Sequence, residues 1–197
     1  FGYGKGEEVV RNLLTMWNVY SFFVTYALVD EWTPSRLPGS DGLQTPKSEL
    51  DRWILSRLHA LIGEVADALE NFDAARVTYA VNAFVDDLSN WYVRLSRRRF
   101  WKSQADDDKQ SAYATLYEVL VTLCKLLAPV LPFLSENMYQ NLVVSVFPDA
   151  PESVHLCDWP VVEESLLDRR LIDETDAVMK VVRLGRSARN AAGMKIR

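Results

Sequence analysis

Residues 88–101 read Leu88-Ser89-Asn90-Trp91-Tyr92-Val93-Arg94-Leu95-Ser96-Arg97-Arg98-Arg99-Phe100-Trp101, without a glycine or proline. Leu88, Trp91 and Leu95 continue a three-and-four spacing that begins at Val77, Val81 and Phe84. The stretch is therefore the second half of one long helix carried to about Lys102. Arg94, Arg97, Arg98 and Trp101 share another face by the same spacing, turned away from the apolar stripe. Such a helix packs with one side and presents guanidinium groups and an indole on the other.

Working outward, the pattern stays helical. Upstream, Leu50, Ile54, Leu58, Leu61, Val65 and Leu69 form a second stripe, and Ser48-Glu49-Leu50-Asp51 resembles a capping box at its start. Asn71 suits a left-handed stop and Asp73 an N-cap for the next helix. Val10, Leu13, Trp17, Tyr20, Val24 and Ala27 predict a first helix from about Gly6 to Trp32, followed by a Pro- and Gly-rich loop over 33–47. Downstream, Asp106, Asp107 and Asp108 favour the positive end of a helix striped by Tyr113, Leu116, Leu120, Leu123 and Leu127. Pro129 and Pro132 interrupt the chain, and Leu134, Met138 and Leu142 mark a helix beyond them. Residues 146–162 are irregular, with a short extended piece expected at Ser153 to Cys157. From Leu167 the period returns through Leu171, Val178 and Val182 to about Asn190. No repeat and no βαβ alternation is present. The expectation is an all-α antiparallel helical bundle of five to six helices with an irregular Pro-rich segment near 146–162. It forms a single domain over 1–197: leading helix and loop 1–47, bundle core 48–145, irregular segment 146–162, last helix 163–197.

Composition supports a globular chain: 197 residues, 49% hydrophobic and 25% charged. With 22 Lys and Arg against 27 Asp and Glu, the net charge of -5 argues against a polyanionic partner if the charges are evenly spread. They are not. Arg94, Arg97, Arg98, Arg99 and Lys102 fall within nine residues that contain no acid, and eight more cations fall within the last 29, together 13 of the 22. The later group includes Arg183, Arg186, Arg189, Lys195 and Arg197. Arginine pairs bidentately with phosphate, and Trp101 is placed to stack on a base. A solvated helix end, complementing the dipole and bridging to neighbouring acids, is the competing reading of the same residues.

Catalytic and metal constellations are missing. His59, His155, Cys124 and Cys157 stand at no ligand or triad spacing, so structural roles are expected for all four. Gly2-Tyr3-Gly4-Lys5-Gly6 lacks the phosphate-loop spacing and reads as a flexible lead-in. Asp86 and Asp87 diverge on a helix and read as solvated charge. The apolar stretch Val19 to Val29 is too short for a bilayer, and the N-terminus has no signal-peptide pattern, which points to the cytoplasm. Phe1 in place of Met, and the ending Met194-Lys195-Ile196-Arg197, lead us to expect a piece of something longer.

The run Leu88–Trp101 resembles the signature helix of the anticodon-binding domain in isoleucyl-tRNA synthetases. The related valine and leucine enzymes keep the Trp-Tyr pair but typically not the Arg-Arg-Arg-Phe-Trp ending. Trp17-Asn-Val-Tyr-Ser-Phe-Phe23, Leu127-Ala-Pro-Val-Leu-Pro-Phe-Leu-Ser-Glu136 and Ser153-Val-His-Leu-Cys-Asp-Trp-Pro160 agree in order, and Gly185 to Arg197 looks like the lead into that family's C-terminal junction. The resemblance covers essentially the whole chain. It implies the tRNA-binding domain of an enzyme that charges isoleucine onto its tRNA with ATP, cut away from the catalytic domain, whose HIGH and KMSKS motifs are absent here. Alone it is expected to be inactive, with no catalytic residue and no cofactor. ATP, Mg and Zn are implied for the full-length enzyme. The expected partner is isoleucine-specific tRNA, without DNA or membrane, bound by a monomer along the inner side of the anticodon arm. The resemblance carries that role to Arg94, Arg97, Arg98, Arg99 and Trp101. Lys102, Arg183, Arg186, Arg189, Lys195 and Arg197 join them on charge. The alternatives are the bundle of a valyl- or leucyl-tRNA synthetase, and a helical protein-interaction scaffold with a basic face.

Overall fold

In the computed structural model, which describes residues 3–38, 46, 48–102 and 106–194, every regular element among the described residues is helical. The α-helices are α1 (Tyr3–Val29), α2 (Glu49–Glu70), α3 (Ala74–Asp87), α4 (Arg94–Trp101), α5 (Asp107–Leu127), α6 (Pro132–Tyr139) and α7 (Arg169–Ala191). A π-helical segment, Leu88–Val93, joins α3 to α4 without a break, so those two form one rod and the bundle has six. The all-α reading holds.

Helix α5 is the axle. Asp106 caps it by accepting the Lys109 N–H at 2.8 Å, and Asp107 and Asp108 lie at its positive end. Tyr113, Leu116, Leu120, Leu123 and Leu127 are all buried, as are Val119, Val121, Cys124 and Leu126 between them. A helix apolar nearly all round belongs in the middle of a core. Around it stand α2 with Trp53, Ile54, Leu58 and Val65, α1 with Val19 and Phe23, and α6 with Met138, in one contiguous cluster. Each such side chain contributes roughly 1.5–3 kcal/mol on burial.

Several local expectations are corrected. The glycine-rich lead-in is helical from Tyr3, because Gly4 and Gly6 weaken a helix by only about 1 kcal/mol each. Gly2 lies outside the described residues, as does most of the loop over 33–47. Helix α1 stops at Val29, since Glu31 takes a φ of 52° and the Trp32 N–H closes onto the Ala27 carbonyl at 2.8 Å. Helix α2 ends the same way: Phe72, at φ 56°, holds the left-handed position while Asn71 does not. Asp73 N–H reaches the Ala68 carbonyl at 2.8 Å, and Asn71 spends its amide on the Asp67 carbonyl. The Ser48 capping box does not form, because Asp51 is drawn into the interior. Asp87 is buried rather than solvated and accepts from Arg57 at 2.6 Å, although burial raises its carboxyl above the usual range. The piece at Ser153 to Cys157 is a 3₁₀ turn, Val154–Leu156, capped by Ser153 Oγ. Glu136 accepts from Ser153 Oγ and Val154 N–H at 2.9 and 3.0 Å, which draws the segment inward.

The π segment has the widest consequence. An α-helix advances about 100° per residue, and a π turn admits one more residue before the phase returns. The buried stripe of α3, Val77, Val81, Phe84 and Leu88, therefore continues as Tyr92, Ser96, Arg99 and Phe100. Leu95, expected on the packed side, is 52% exposed and Trp91 is only half-buried.

Candidate nucleic-acid interface

Helix α4 is fastened through its last aromatic side chain. Phe100 sits edge-on to Tyr113 of α5 at 4.9 Å and to Phe22 of α1 at 5.1 Å, ring centre to ring centre. Edge-to-face contacts of this kind add about 0.5–1.5 kcal/mol beyond area burial. With Phe100 inward, the spacing turns Arg94, Arg97, Arg98 and Trp101 outward, and all four are exposed. Trp101 is 57% exposed, uncommon for an indole at a helix end. Arg94, Arg97 and Arg98 form no ion pair and no side-chain hydrogen bond among the described residues. Three unneutralised guanidinium groups within five residues create a local positive field on a chain of net charge -5.

Arg99 is a different residue in kind. Its Nη1 and Nη2 donate to Asp51 Oδ1 and Oδ2 at 2.6 and 2.7 Å, and its Nη2 also reaches the Asp108 carbonyl at 2.9 Å. Asp51 is fully buried and further accepts from Tyr92 Oη at 2.9 Å and Ser111 Oγ at 2.8 Å. Burial alone disfavours the Arg99 charge, but the paired carboxylate more than offsets this and holds the guanidinium firmly protonated. Burial and the neighbouring Asp51 carboxylate likewise push the Tyr92 phenol well above its ordinary value. Arg99 is thus removed from the set of RNA-contacting residues expected from sequence. Lys102 keeps an exposed ammonium, yet it lies 3.1 Å from both Asp106 and Asp108, so much of its charge is already neutralised.

The second basic cluster is spread along α7. Arg183 and Arg186 are exposed and Arg189 is half-buried, while Lys195 and Arg197 lie outside the described residues. Only Leu171 and Met179 of this 23-residue helix are buried, and Val178, expected on its packed stripe, is 52% exposed. The helix is tied at its base, where Ser56 Oγ accepts the Asp168 N–H and His59 Nδ1 accepts the Glu163 N–H at 3.1 Å. The two clusters therefore differ in anchorage.

Sequence reasoning passed over Asp51, Tyr92 and Ser111. A signal existed. Asp51 falls on the stripe of Ile54, Leu55 and Leu58, where an acid needs a buried partner, and Tyr92, Ser96 and Arg99 make a polar stripe at helical spacing.

No catalytic or metal geometry accompanies these surfaces. His59 is buried, which lowers its pKa, and Cys124 is buried in α5 with its thiol pushed up to about 12. No group of three His, Cys, Asp or Glu that could hold a metal occurs among the described residues. These residues do not fit a zinc site. No helix among the described residues is long and apolar enough to cross a membrane.

Comparison with known proteins agrees with the geometry. The family described as "Anticodon-binding domain of tRNA ligase" matches residues 51–197. The isoleucine–tRNA ligase of Dehalococcoides mccartyi strain 195 is 53% identical over 192 residues, covering 98% of this chain and 18% of the relative. That of Thermus thermophilus is 49% identical over 199 residues, with 100% and 19% covered, and that of Clostridium novyi 48% over 192. The chain spans about a fifth of the length of these relatives. With its buried helical axle and its match from Asp51 to Arg197, the chain belongs to the anticodon-binding domain family of tRNA ligases.

Proposed function

We propose that this chain binds the anticodon arm of a tRNA, that the tRNA is isoleucine-specific, and that the domain serves a cytoplasmic ligase that joins isoleucine to it with ATP. The observation that carries the reading is the trio Arg94, Arg97 and Arg98, exposed and without an ion-pair partner among the described residues, beside exposed Trp101 on a helix whose opposite side is buried. Rigidly held cations that lose no internal partner on binding are what phosphate contact requires. The trio makes phosphate contacts in this reading, and Trp101 stacks on an unpaired base of the loop. Arg183, Arg186, Arg189, Lys195 and Arg197 extend the contact along the arm. The chain acts as a monomer and takes no DNA. ATP, Mg and Zn belong to other parts of the ligase, and no step is assigned to them here.

The test is binding of isoleucine tRNA across a salt series. Affinity should fall steeply, with a slope set by the phosphates neutralised. Reversal of the pair Arg97→Glu and Arg98→Glu should abolish measurable binding while the helical circular dichroism signal survives. Unchanged binding in that variant sinks the surface assignment. Binding of an acidic protein but not tRNA would favour the scaffold. The 197 residues alone should show no isoleucine-dependent ATP–pyrophosphate exchange.

A further inference from the structure

Arg99 has the composition of an RNA contact and the environment of a core residue. The π segment makes that placement matter. Up to Leu88 the rod is phased by the α3 stripe, but the five further residues of the π segment separate that stripe from α4. Packing of α3 therefore does not dictate which way α4 faces. In an unbroken α-helix the inward positions after Leu88 would be Tyr92, Leu95 and Arg99, whereas the buried residues of α4 are Ser96, Arg99 and Phe100, a rotation of about 100°. Leu95 is apolar enough to satisfy that register, and Arg98 would then turn from the outward face to about 80° from the packed direction, where Arg99 could not keep its present fork on Asp51. Two registers compete, and one of them turns Arg98 off the outward face.

Two side chains of the rod hold the observed register, and both converge on one carboxylate. Tyr92 lies within the π segment and Arg99 seven residues on, and both donate to Asp51 Oδ1, at 2.9 and 2.6 Å. Arg99 closes the second oxygen at 2.7 Å, where Ser111 of α5 also donates at 2.8 Å. The guanidinium reaches on to Asp108, with Nε 2.8 Å from its carboxylate and Nη2 2.9 Å from its carbonyl. The rod is thereby pinned to the start of α2 and the start of α5 at points that bracket Arg94, Arg97 and Arg98. A forked donor on a fully buried acceptor is directional, whereas apolar packing tolerates sliding.

We propose that Arg99, seated on Asp51, is a positioning residue that sets the rotational register of α4 beyond the π segment and so aims Arg94, Arg97 and Arg98 at the nucleic acid without touching it. The use of that aim rests on the RNA-binding reading above. The register itself does not.

The test is Arg99→Lys in the 197-residue chain, which keeps the charge but loses the fork. A Met138→Ala variant, destabilised in α6 away from α4, serves as control. At a temperature where both variants remain folded, amide hydrogen exchange over residues 89–101 should quicken at least tenfold in Arg99→Lys while residues 116–124 keep their protection. Isoleucine-tRNA affinity should fall about tenfold, and the salt slope should lose about one unit although no exposed cation was removed. Met138→Ala should move neither the slope nor the exchange of 89–101. Wild-type exchange over 89–101 in Arg99→Lys overturns the proposal, and so does an equal change in the control. Quickened exchange with unaltered tRNA affinity overturns the aiming role. If the wild-type chain does not bind tRNA, the RNA reading fails, while the exchange arm still decides the register. Should Arg99→Lys not fold, Tyr92→Phe, which removes a single donor, replaces it with an expected effect of about threefold on both readouts.

Discussion

Over eight residues helix α4 carries four arginines and buries Ser96, Arg99 and Phe100; over 23 residues helix α7 carries six cations and buries Leu171 and Met179. Both are basic stretches at helical spacing, although Asp173, Glu174 and Asp176 dilute the charge of α7. They differ in what stands behind the charge. One arginine in four of α4 is spent inward on Asp51, and Phe100 is wedged between α1 and α5. Helix α7 is held at its start by Ser56 and Leu171, with His59 just before it, and midway by Met179, and its residues beyond Met179 are exposed or half-buried. A charged surface that is already ordered loses less side-chain and backbone freedom on binding than one that must be ordered by its partner. The two helices should therefore contribute unequally to affinity for a similar number of guanidinium groups.

Asp51→Ala is the hardest blow to the α4 side. It leaves a buried guanidinium, phenol and hydroxyl without their acceptor, and removing one member of a buried pair costs about 3–5 kcal/mol. Urea denaturation should show this loss, while Arg94→Ala, on the exposed face of the same helix, stays within about 0.5 kcal/mol of wild type. An equal effect from both would erase the distinction between anchored and displayed arginines.

Leu171→Ala probes the base of α7. Deleting a buried leucine side chain costs about 2–5 kcal/mol, and the low end is expected because the helix has little else to lose. Protection should vanish along α7 in hydrogen exchange and persist in α5. A uniform loss across the bundle would mean that α7 is as integral to the core as α4.

Smaller still is the paired reversal Arg183→Glu and Arg186→Glu, which should weaken tRNA about threefold in a filter-binding or fluorescence titration. The α4 reversal should leave no measurable binding. If the α7 pair proves as costly as the α4 pair, anchorage is not what separates the two surfaces.

The mildest effect concerns pH. Burial holds the His59 pKa below its ordinary value, and the neutral ring accepts the Glu163 N–H at the foot of α7. A lowered folded-state pKa means that the folded chain binds fewer protons than the unfolded one. This contribution is complete above about pH 6.5 and is lost as pH falls through the folded value. Stability measured from pH 7.5 to 5 should decline with a slope below one proton, and His59→Gln should flatten it. A slope unaffected by that substitution would remove His59 as a latch.

Much of the bundle was legible in the residues. The stripes of α2 and α5 proved to be core faces, and Asp73 and Asp106 cap their helices through ordinary side-chain bonds. The outward face of α4 was legible too, since Arg94, Arg97, Arg98 and Trp101 stay in phase with one another wherever the helix turns. Harder to read were the points where a local preference met a tertiary demand. Ser48 and Asp51 have the spacing of a capping box, but a buried guanidinium outcompetes an exposed backbone N–H for the carboxylate. Asn71 tolerates left-handed backbone better than Phe72, yet the closure of α2 falls one residue later and leaves Phe72 there, 96% exposed. Asp86 and Asp87 are indistinguishable as neighbours. Only Asp87 faces Arg57 across the α2–α3 contact.

The sequence by itself determined the class of the fold and the location of its charge. Helical spacing and the clustering of 13 cations in two segments are properties of covalent order, and they survive any arrangement of the helices. The register of α4, which buries Ser96 and Phe100 and leaves Leu95 exposed, was decided only by tertiary structure. A π-helical segment leaves no clear periodic trace, because its extra residue makes sense only against the partners it serves. Here those partners, Asp51 and Asp108, come from α2 and α5, between 9 and 48 residues away along the chain from the groups they bind. Carboxylates at the starts of two helices select the face of a third, and distance along the chain hides that selection until the chain is folded.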